Sequence, residues 1–172
     1  MTNGSGNRRG NNGVTAAAAV ATGLIAGSFY VFACAVMPAL AKSGDRTYIE
    51  VMQHINEVIE NPVFFAGFFG ALLLTAAAAW QHRRDRAVRP WVFAALALYA
   101  LAFVLTSVVN VPLNTELADA GDPTKIADPA AVRERFEDTW VTWNAARAAL
   151  CTAALTALLG ALTRGRPAAP DA

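Results

Sequence analysis

Four stretches of this 172-residue chain are almost free of charged side chains, and they constrain the fold more than any other feature. Residues 14–41, 61–81 and 90–110 contain no charge, and residues 139–163 contain only Arg147. A helix needs about 20 mostly apolar residues to cross a bilayer. Because the backbone must satisfy its own hydrogen bonds in lipid, a stretch that crosses is helical. The sequence therefore predicts four membrane-spanning helices.

Two other interpretations fit these stretches less well. A soluble bundle of buried helices is disfavoured because 55% hydrophobic and 16% charged residues leave little amphipathic surface. A cleaved signal peptide is suggested by Arg8 and Arg9, but its apolar core spans only about 7–15 residues, far fewer than the first stretch. We therefore interpret this stretch as a retained anchor, in which Pro38 is expected to kink or end the helix.

The net charge of the connecting segments alternates in sign. Residues 1–13, 82–89 and 164–172 carry +2, +3 and +1, whereas residues 42–60 and 111–138 carry −2 and −4. Since Lys and Arg concentrate in cytoplasmic loops, this pattern predicts an up-down-up-down bundle with both termini in the cytoplasm. Arginine outnumbers lysine twelve to two and alanine dominates the spans, which suggests a high-GC bacterial genome and hence a bacterial plasma membrane.

The predicted fold is thus all-α, a four-helix transmembrane bundle with an additional amphipathic helix in an outer loop. Residues 14–164 form the membrane domain, and residues 1–13 and 165–172 are predicted to be disordered tails because of their Gly, Asn and Pro content. Small residues in the spans are expected to bring the helices close together. Among these are Gly23, Gly27, Gly67 and Gly70.

The amphipathic helix is predicted from TYIEVMQHINEVIENP in the first acidic loop, whose apolar residues recur at helical spacing. Thr47 and Glu50 fit a capping box at its start. Asn61 and Asp128 each precede a proline and are predicted to cap the second and fourth spans.

The third span ends in Asn110-Val-Pro-Leu-Asn114, where Pro112 is expected to break the helix. The two amides either satisfy the backbone groups freed by the break or bind a ligand at the outer end of the bundle. The sequence leaves both roles open.

Arg147 is the only charge inside a span, and Trp140 and Trp143 lie with it on one helical stripe. Asn144 is one turn from Arg147. An intramembrane arginine faces the bundle interior or a cavity, or it snorkels to the interface, where tryptophans also collect. This cluster favours a small, partly aromatic, anion-compatible site.

The remaining candidates carry weaker signals. His54 has glutamates one turn away on either side, which is weak support for a metal site, so no metal is predicted. His82 is expected to be solvated in the basic loop. Cys34 and Cys151 are expected to be small core residues.

Three motifs together resemble the anthrone oxygenase-like family of small four-helix membrane proteins: MQHINEVIENPVF at 52–64, NVPLN at 110–114 and WVTWNAAR at 140–147. Some members convert an anthrone to an anthraquinone with dioxygen and no cofactor. The chain departs from the family pattern at Ala145, where histidine is common, so the natural general base is absent. The site residues implied by the resemblance are Gln53, Asn56, Asn61, Asn110, Asn114, Trp143, Asn144 and Arg147.

Two hypotheses follow, and the first is an enzyme for a small aromatic substrate and dioxygen. Arg147 stabilises the oxyanion of the ionised substrate. The base is either His54 or a water held by the amides. The ligand is oriented by Asn110, Asn114 and Asn144 and stacked on Trp140 and Trp143.

The second hypothesis is a non-catalytic membrane protein whose outer pocket binds a lipid, a quinone or a small aromatic ligand. A net charge of +1 disfavours a nucleic-acid partner. The spans contain no acidic residue to couple an ion, which disfavours a transporter.

Overall fold

The computed structural model describes residues 3–164, with side chains from residue 12 onward, and the regular secondary structure in that range is helical. Two of its five helices contain a π-helical turn. In chain order the helices are α1 (Asn3–Val31, the π-helical turn Phe32–Val36, then Met37–Leu40), α2 (Asp45–Ile59), α3 (Pro62–Gln81), α4 (Arg89–Leu105, the π-helical turn Thr106–Asn110, then Val111–Asp119) and α5 (Pro129–Arg164).

Helices α1, α3, α4 and α5 are long and apolar enough to cross a membrane, which confirms the four predicted spans. Both α1 and α4 pack against α3 and α5, so the spans form a closed ring in chain order. Helix α2 packs across one end of this ring, against α5 and the last part of α4. It buries Tyr48, Ile49 and Met52, as its amphipathic pattern predicts. We call this end of the bundle the capped end.

Two prolines lie inside spans without ending them. Pro38 follows the π-helical turn Phe32–Val36, and Pro112 follows Thr106–Asn110. A proline donates no hydrogen bond and its ring clashes with the carbonyl four residues earlier. A π-helical turn loosens the hydrogen-bond ladder at that point, so the helix continues beyond the proline. The predicted break at Pro112 is therefore wrong, and α4 extends past Asn114 to Asp119.

The two predicted proline-flanked caps are confirmed. The Oδ1 atom of Asn61 accepts hydrogen bonds from two backbone N–H groups at the start of α3, each at 3.0 Å. The Oδ1 atom of Asp128 accepts one from the Ala131 N–H at 3.1 Å, at the start of α5. Both satisfy backbone donors that the helix itself leaves free.

The predicted capping box of α2 is wrong, because the helix begins at Asp45 and Thr47 lies within its first turn. A tertiary contact lies at this earlier start. Arg133 of α5 donates from Nη1 to Oδ1 of Asp45 and to the Ser43 carbonyl, both at 3.0 Å. The first turn of α2 is thus tied to α5 by an ion pair.

At the opposite end the spans pack through small residues. Ala78, Ala95, Ala157 and Ala161 are almost fully buried there. Among the described glycines, Gly160 has the tightest surroundings, because a Cβ atom there would be 2.6 Å from Trp91 Cε3. The predicted contact glycines are looser. A Cβ at Gly23 or Gly67 would make ordinary contacts, and one at Gly27 or Gly70 would meet nothing within 4 Å.

Three smaller expectations are revised or only partly met. His82 is 6% exposed, and its Nε2 lies 3.3 Å from Thr15 Oγ1, so it is packed rather than solvated. Cys151 is buried as expected, whereas Cys34 is exposed. Helix α1 already begins at Asn3, so helix covers most of the segment for which we predicted a disordered tail. The predicted C-terminal tail lies outside the described residues.

Candidate functional site

An aromatic cavity of about 200 Å³ lies among the helices at the capped end. All five helices contribute to its wall. Seven phenylalanines and Trp140 form the aromatic part of the lining, and Phe68 stacks on Phe103 with ring centroids 4.8 Å apart. The polar lining residues are Ser28, Asn56, Glu60, Thr106, Ser107, Asn114, Asn144 and Arg147.

Arg147 is buried in this wall, with 4% of its surface exposed, so it faces the bundle interior instead of snorkelling. Its guanidinium carbon lies 4.3 Å from the Phe29 ring centroid and 5.6 Å from that of Trp140. It donates to Thr106 Oγ1 at 3.3 Å and to Asn144 Oδ1 at 3.1 Å.

The hydrogen bonds of Arg147 leave its charge uncompensated. Among the described residues no carboxylate lies within ion-pair distance of it, and its Nε atom has no hydrogen-bond partner. A buried charge is costly unless an opposite charge and hydrogen bonds accompany it. The site therefore suits an anionic group of a ligand.

Two asparagines tie the helices around Arg147. Asn144 is 1% exposed, and its Nδ2 donates to the Phe29 carbonyl at 3.1 Å while its Oδ1 accepts from Arg147. Asn110 is equally buried behind the wall, where its Nδ2 donates to the Trp140 carbonyl at 3.4 Å and its Oδ1 has no partner. Asn144 thus positions the guanidinium, and Asn110 links α4 to α5 instead of lining the cavity.

Trp140 and Asn114 form a second polar contact in the cavity wall. The indole Nε1 of Trp140 donates to Asn114 Oδ1 at 2.8 Å. The Trp140 ring also stacks on Phe136, with centroids 6.0 Å apart. Because Asn114 lies beyond Pro112, this contact depends on the continuation of α4 through its π-helical turn.

Besides Asn110, four other predicted site residues lie outside the cavity. Trp143 is 36% exposed and does not line it, and His54 is exposed on α2. The side chain of Asn61 caps α3 with its Oδ1 atom, and its Nδ2 donates to the Val58 carbonyl at 2.8 Å. Gln53 donates to the carbonyls of Leu117 and Gly121, at 2.8 and 3.0 Å, and so ties α2 to the end of α4.

A polar groove continues from the cavity between α2 and the end of α4, with a volume of about 540 Å³. Asn56, Glu60 and Asn114 line both spaces. The Nδ2 atom of Asn56 is buried and has no hydrogen-bond partner among the described residues. Gln53 and Glu57 line the groove but not the cavity.

Sequence reasoning missed two kinds of lining residue. Glu60 has the sequence pattern of a polar-face residue of the amphipathic helix, although its place just before the α3 cap was a signal that it lies at the bundle end. The phenylalanines of α3 looked like ordinary apolar residues of a span. Their i, i+4 spacing was the signal that they share a face, as Phe64 and Phe68 do, with stacked rings 5.8 Å apart.

Ala145 is exposed, on a different face of α5 from Asn144 and Arg147. A histidine at this position would therefore also point away from the cavity in this structure. The substitution removes nothing from the cavity wall, and its bearing on a general base is smaller than the sequence suggested. In the part of the chain that the structure describes, no three His, Cys, Asp or Glu side chains come together as metal ligands.

Helix α2 is held on the capped end of the bundle by a separate charged cluster around Arg133. Its Nε lies 2.5 Å from Glu137 Oε2, and its guanidinium carbon lies 4.5 Å from the Tyr48 ring centroid. Burial raises the pKa of Tyr48 far above its usual value, and the negative charge of Glu137 adds to the effect. The Tyr48 hydroxyl has no hydrogen-bond partner among the described residues.

Comparison with known families covers more than half of the chain. The model of the family described as "Anthrone oxygenase" matches residues 60–157. This range contains α3, α4 and most of α5, and with them Glu60, Asn114, Trp140 and Arg147. Searches of curated proteins and of solved structures return no match. By its sequence, this chain belongs to the anthrone oxygenase family.

Proposed function

We propose that this protein is a cofactor-independent oxygenase that converts an anthrone-like aromatic compound to the corresponding quinone with dioxygen. The observation that carries the proposal is the burial of Arg147 in an aromatic cavity, with no carboxylate partner among the residues that the structure describes. Such a site favours a flat ligand that becomes negatively charged during the reaction. Family membership supports the same chemistry.

The proposed reaction balances without a further redox partner. A base removes one methylene proton, and the electron pair left on carbon delocalises onto the ring-ketone oxygen. The carbanion then forms a C–O bond to dioxygen, giving a hydroperoxide after protonation. Loss of the second methylene proton breaks the O–O bond. One oxygen atom stays on carbon as the new ketone, and the other leaves as water with both protons.

Arg147 serves this reaction by stabilising the oxyanion that forms when the substrate loses its proton. A fixed cation in a water-poor site stabilises developing negative charge more than it does in water. The guanidinium is already held by Thr106 and Asn144, so little reorganisation is needed. Losing one such stabilising donor typically lowers the rate by about 10²–10³-fold.

The cavity suits a compact aromatic substrate. Its volume of about 200 Å³ lies below the roughly 300–1,000 Å³ of sites for drug-sized ligands. The rings of Phe64, Phe68 and Phe103 offer offset-stacking surfaces to a planar ligand. The charge pattern of the loops supports placing this end of the bundle outside a bacterial plasma membrane, with both termini in the cytoplasm.

The test is oxygen uptake by the purified protein in detergent with emodin anthrone, after subtraction of spontaneous oxidation. Arg147→Ala is expected to lower the protein-dependent rate about 100-fold or more. The matched control is Arg164→Ala, because Arg164 also stacks on an aromatic ring of the same bundle, 4.1 Å from Trp91, but at the other end. Uptake that survives in a folded Arg147→Ala protein contradicts this mechanism.

A second candidate function is non-catalytic binding of a membrane lipid or quinone. It is favoured by the exposure of three lining residues, Phe65, Phe69 and Val111, at 41–48%, which opens the cavity wall toward the surrounding lipid. In that case wild-type protein shows no oxygen uptake above the blank. Mass spectrometry then detects a copurifying ligand in wild type and loses it in Arg147→Ala.

A further inference from the structure

We propose that Glu60 is the catalytic base that removes the methylene proton, an inference that rests on the proposed oxygenase function. Glu60 and Arg147 are the two charged side chains on the cavity wall. The reaction needs one group that accepts a proton and one that stabilises the negative charge left behind. This pair supplies both, with the carboxylate and the guanidinium on different helices around one aromatic space.

The position of Glu60 matches what a base requires. It directly follows α2 and precedes the Asn61 cap of α3, and it lines both the aromatic cavity and the polar groove. The carboxylate is exposed, so the groove gives water access to it. A proton taken from a substrate in the cavity therefore has a route to solvent through the groove.

The other candidate bases are placed less well. His54 is exposed on α2 and lines neither space, so it does not reach the substrate directly. Glu57 lines the groove but not the cavity. The buried, unpartnered Nδ2 of Asn56 is a donor, and it suits a hydrogen bond to a substrate oxygen instead of proton removal.

In the proposed step a Glu60 carboxylate oxygen forms an O–H bond as the methylene C–H bond breaks. The electron pair moves into the ring system and onto the ketone oxygen, which Arg147 stabilises. Since that stabilisation makes the bound methylene more acidic, a carboxylate is a sufficient base. After dioxygen adds to carbon, the proton held by Glu60 returns to the oxygen that leaves as water.

The decisive experiment separates proton removal from oxidation. Under nitrogen, the purified protein is incubated with emodin anthrone in buffered D₂O, and deuterium entry at the methylene carbon is followed by mass spectrometry. Glu60→Gln is expected to lower the protein-dependent exchange rate about 100-fold or more, within the range for loss of a general base. Glu57→Gln is the matched control and is expected to exchange at the wild-type rate.

Two further measurements show whether a slower exchange in Glu60→Gln comes from the loss of the carboxylate or from misfolding. Glu60→Asp retains a carboxylate on a shorter side chain and is expected to recover part of the exchange that Glu60→Gln loses. Thermal unfolding in detergent reports whether each variant is folded. If Glu60→Gln is folded and exchanges at the wild-type rate, or if Glu60→Asp recovers nothing, Glu60 is not the base.

Oxygen uptake by the same samples distinguishes the two proposals. Wild-type exchange that depends on Glu60, without oxygen uptake, upholds the base and contradicts the oxygenase function. Oxygen uptake that is unchanged in Glu60→Gln upholds the oxygenase and contradicts the base. The absence of both wild-type activities contradicts both proposals.

Discussion

At each end of the bundle an arginine of α5 lies on an aromatic ring, but one of the two arginines is buried and the other is exposed. Arg147 lies 4.3 Å from the Phe29 ring centroid and is 4% exposed. Arg164 lies 4.1 Å from the Trp91 ring centroid and is exposed. The contact is the same, but only Arg147 gives up its hydration. Depth in the bundle therefore decides which of the two is a candidate for chemistry.

The packing of the helices explains this difference. Near Arg164 the buried residues are mostly alanines, and Gly160 lets Trp91 approach α5 closely. Small residues allow helices to meet without leaving space between them. Near Arg147 the facing residues are phenylalanines, and π-helical turns in α1 and α4 interrupt the regular ladder. The same four helices thus make a dense end, near Arg164, and a hollow end, which is the capped end that contains the cavity.

The largest effect is expected at the hollow end, from Arg147→Met. Turnover should fall about 100-fold or more because the oxyanion loses its cation. Thermal stability in detergent should change little, because two effects oppose each other. Removing a buried charge that has no ionic partner among the described residues relieves a desolvation cost, but the buried Asn144 Oδ1 loses its donor. Oxygen uptake and a melting curve on the same sample check both. A large fall in melting temperature would show that Arg147 is mainly structural.

At the dense end, substitutions should change the stability of the protein and not its turnover. Gly160→Ala places a Cβ atom 2.6 Å from Trp91, so the protein should become about 1–3 kcal/mol less stable than Gly27→Ala. Gly27 has open space around its Cβ position, and its substitution should be neutral or stabilising by up to about 1 kcal/mol. Denaturation in mixed detergent measures both. Equal melting behaviour of the two variants would contradict tight packing at Gly160.

A smaller effect should separate the two neighbouring tryptophans of α5. Trp140→Phe removes the 2.8 Å hydrogen bond to Asn114 and should cost about 1 kcal/mol of stability and part of the turnover. Trp143→Phe is the control, because Trp143 lies outside the cavity and should tolerate the change in both assays. A loss of turnover in Trp143→Phe alone would restore the substrate-binding role that the sequence predicted for it.

The smallest expected effect is a pH dependence of stability that arises at Tyr48 of helix α2. The pKa of Tyr48 is raised in the folded protein by burial, so its neutral form is favoured there. The stability it contributes is present below its unfolded pKa of about 10 and is lost as pH rises above that value. Tyr48→Phe should reduce this alkaline loss and leave neutral stability nearly unchanged, because the hydroxyl has no partner. Melting temperatures between neutral and strongly alkaline pH test this.

Local sequence signals predicted the parts of the fold that depend on few residues. The charge-free stretches predicted the four spans, because a helix in lipid needs only length and apolar character. Asn61 and Asp128 predicted two helix starts, because a cap is completed by the next few residues. Three short motifs, at 52–64, 110–114 and 140–147, resembled the family whose model matches residues 60–157.

Signals that depend on packing were less successful. Pro112 predicted a helix end, but a π-helical turn accommodates it. Helical spacing placed Trp143 with Arg147, yet a stripe covers a wide arc and the neighbouring helices cover only part of it. His82 looked solvated in a basic loop, but α1 brings Thr15 beside it.

The sequence by itself determined how many helices are long and apolar enough to cross a membrane, where two of them start and which of them carries a charge. These properties follow from hydropathy and from hydrogen bonds between near neighbours in the chain. Tertiary structure alone decided that Glu60 and Arg147 share one cavity, that Ala145 lies outside it and that Gly160 is the tight contact. Those properties depend on which helix faces meet, and distant segments of the chain set that together.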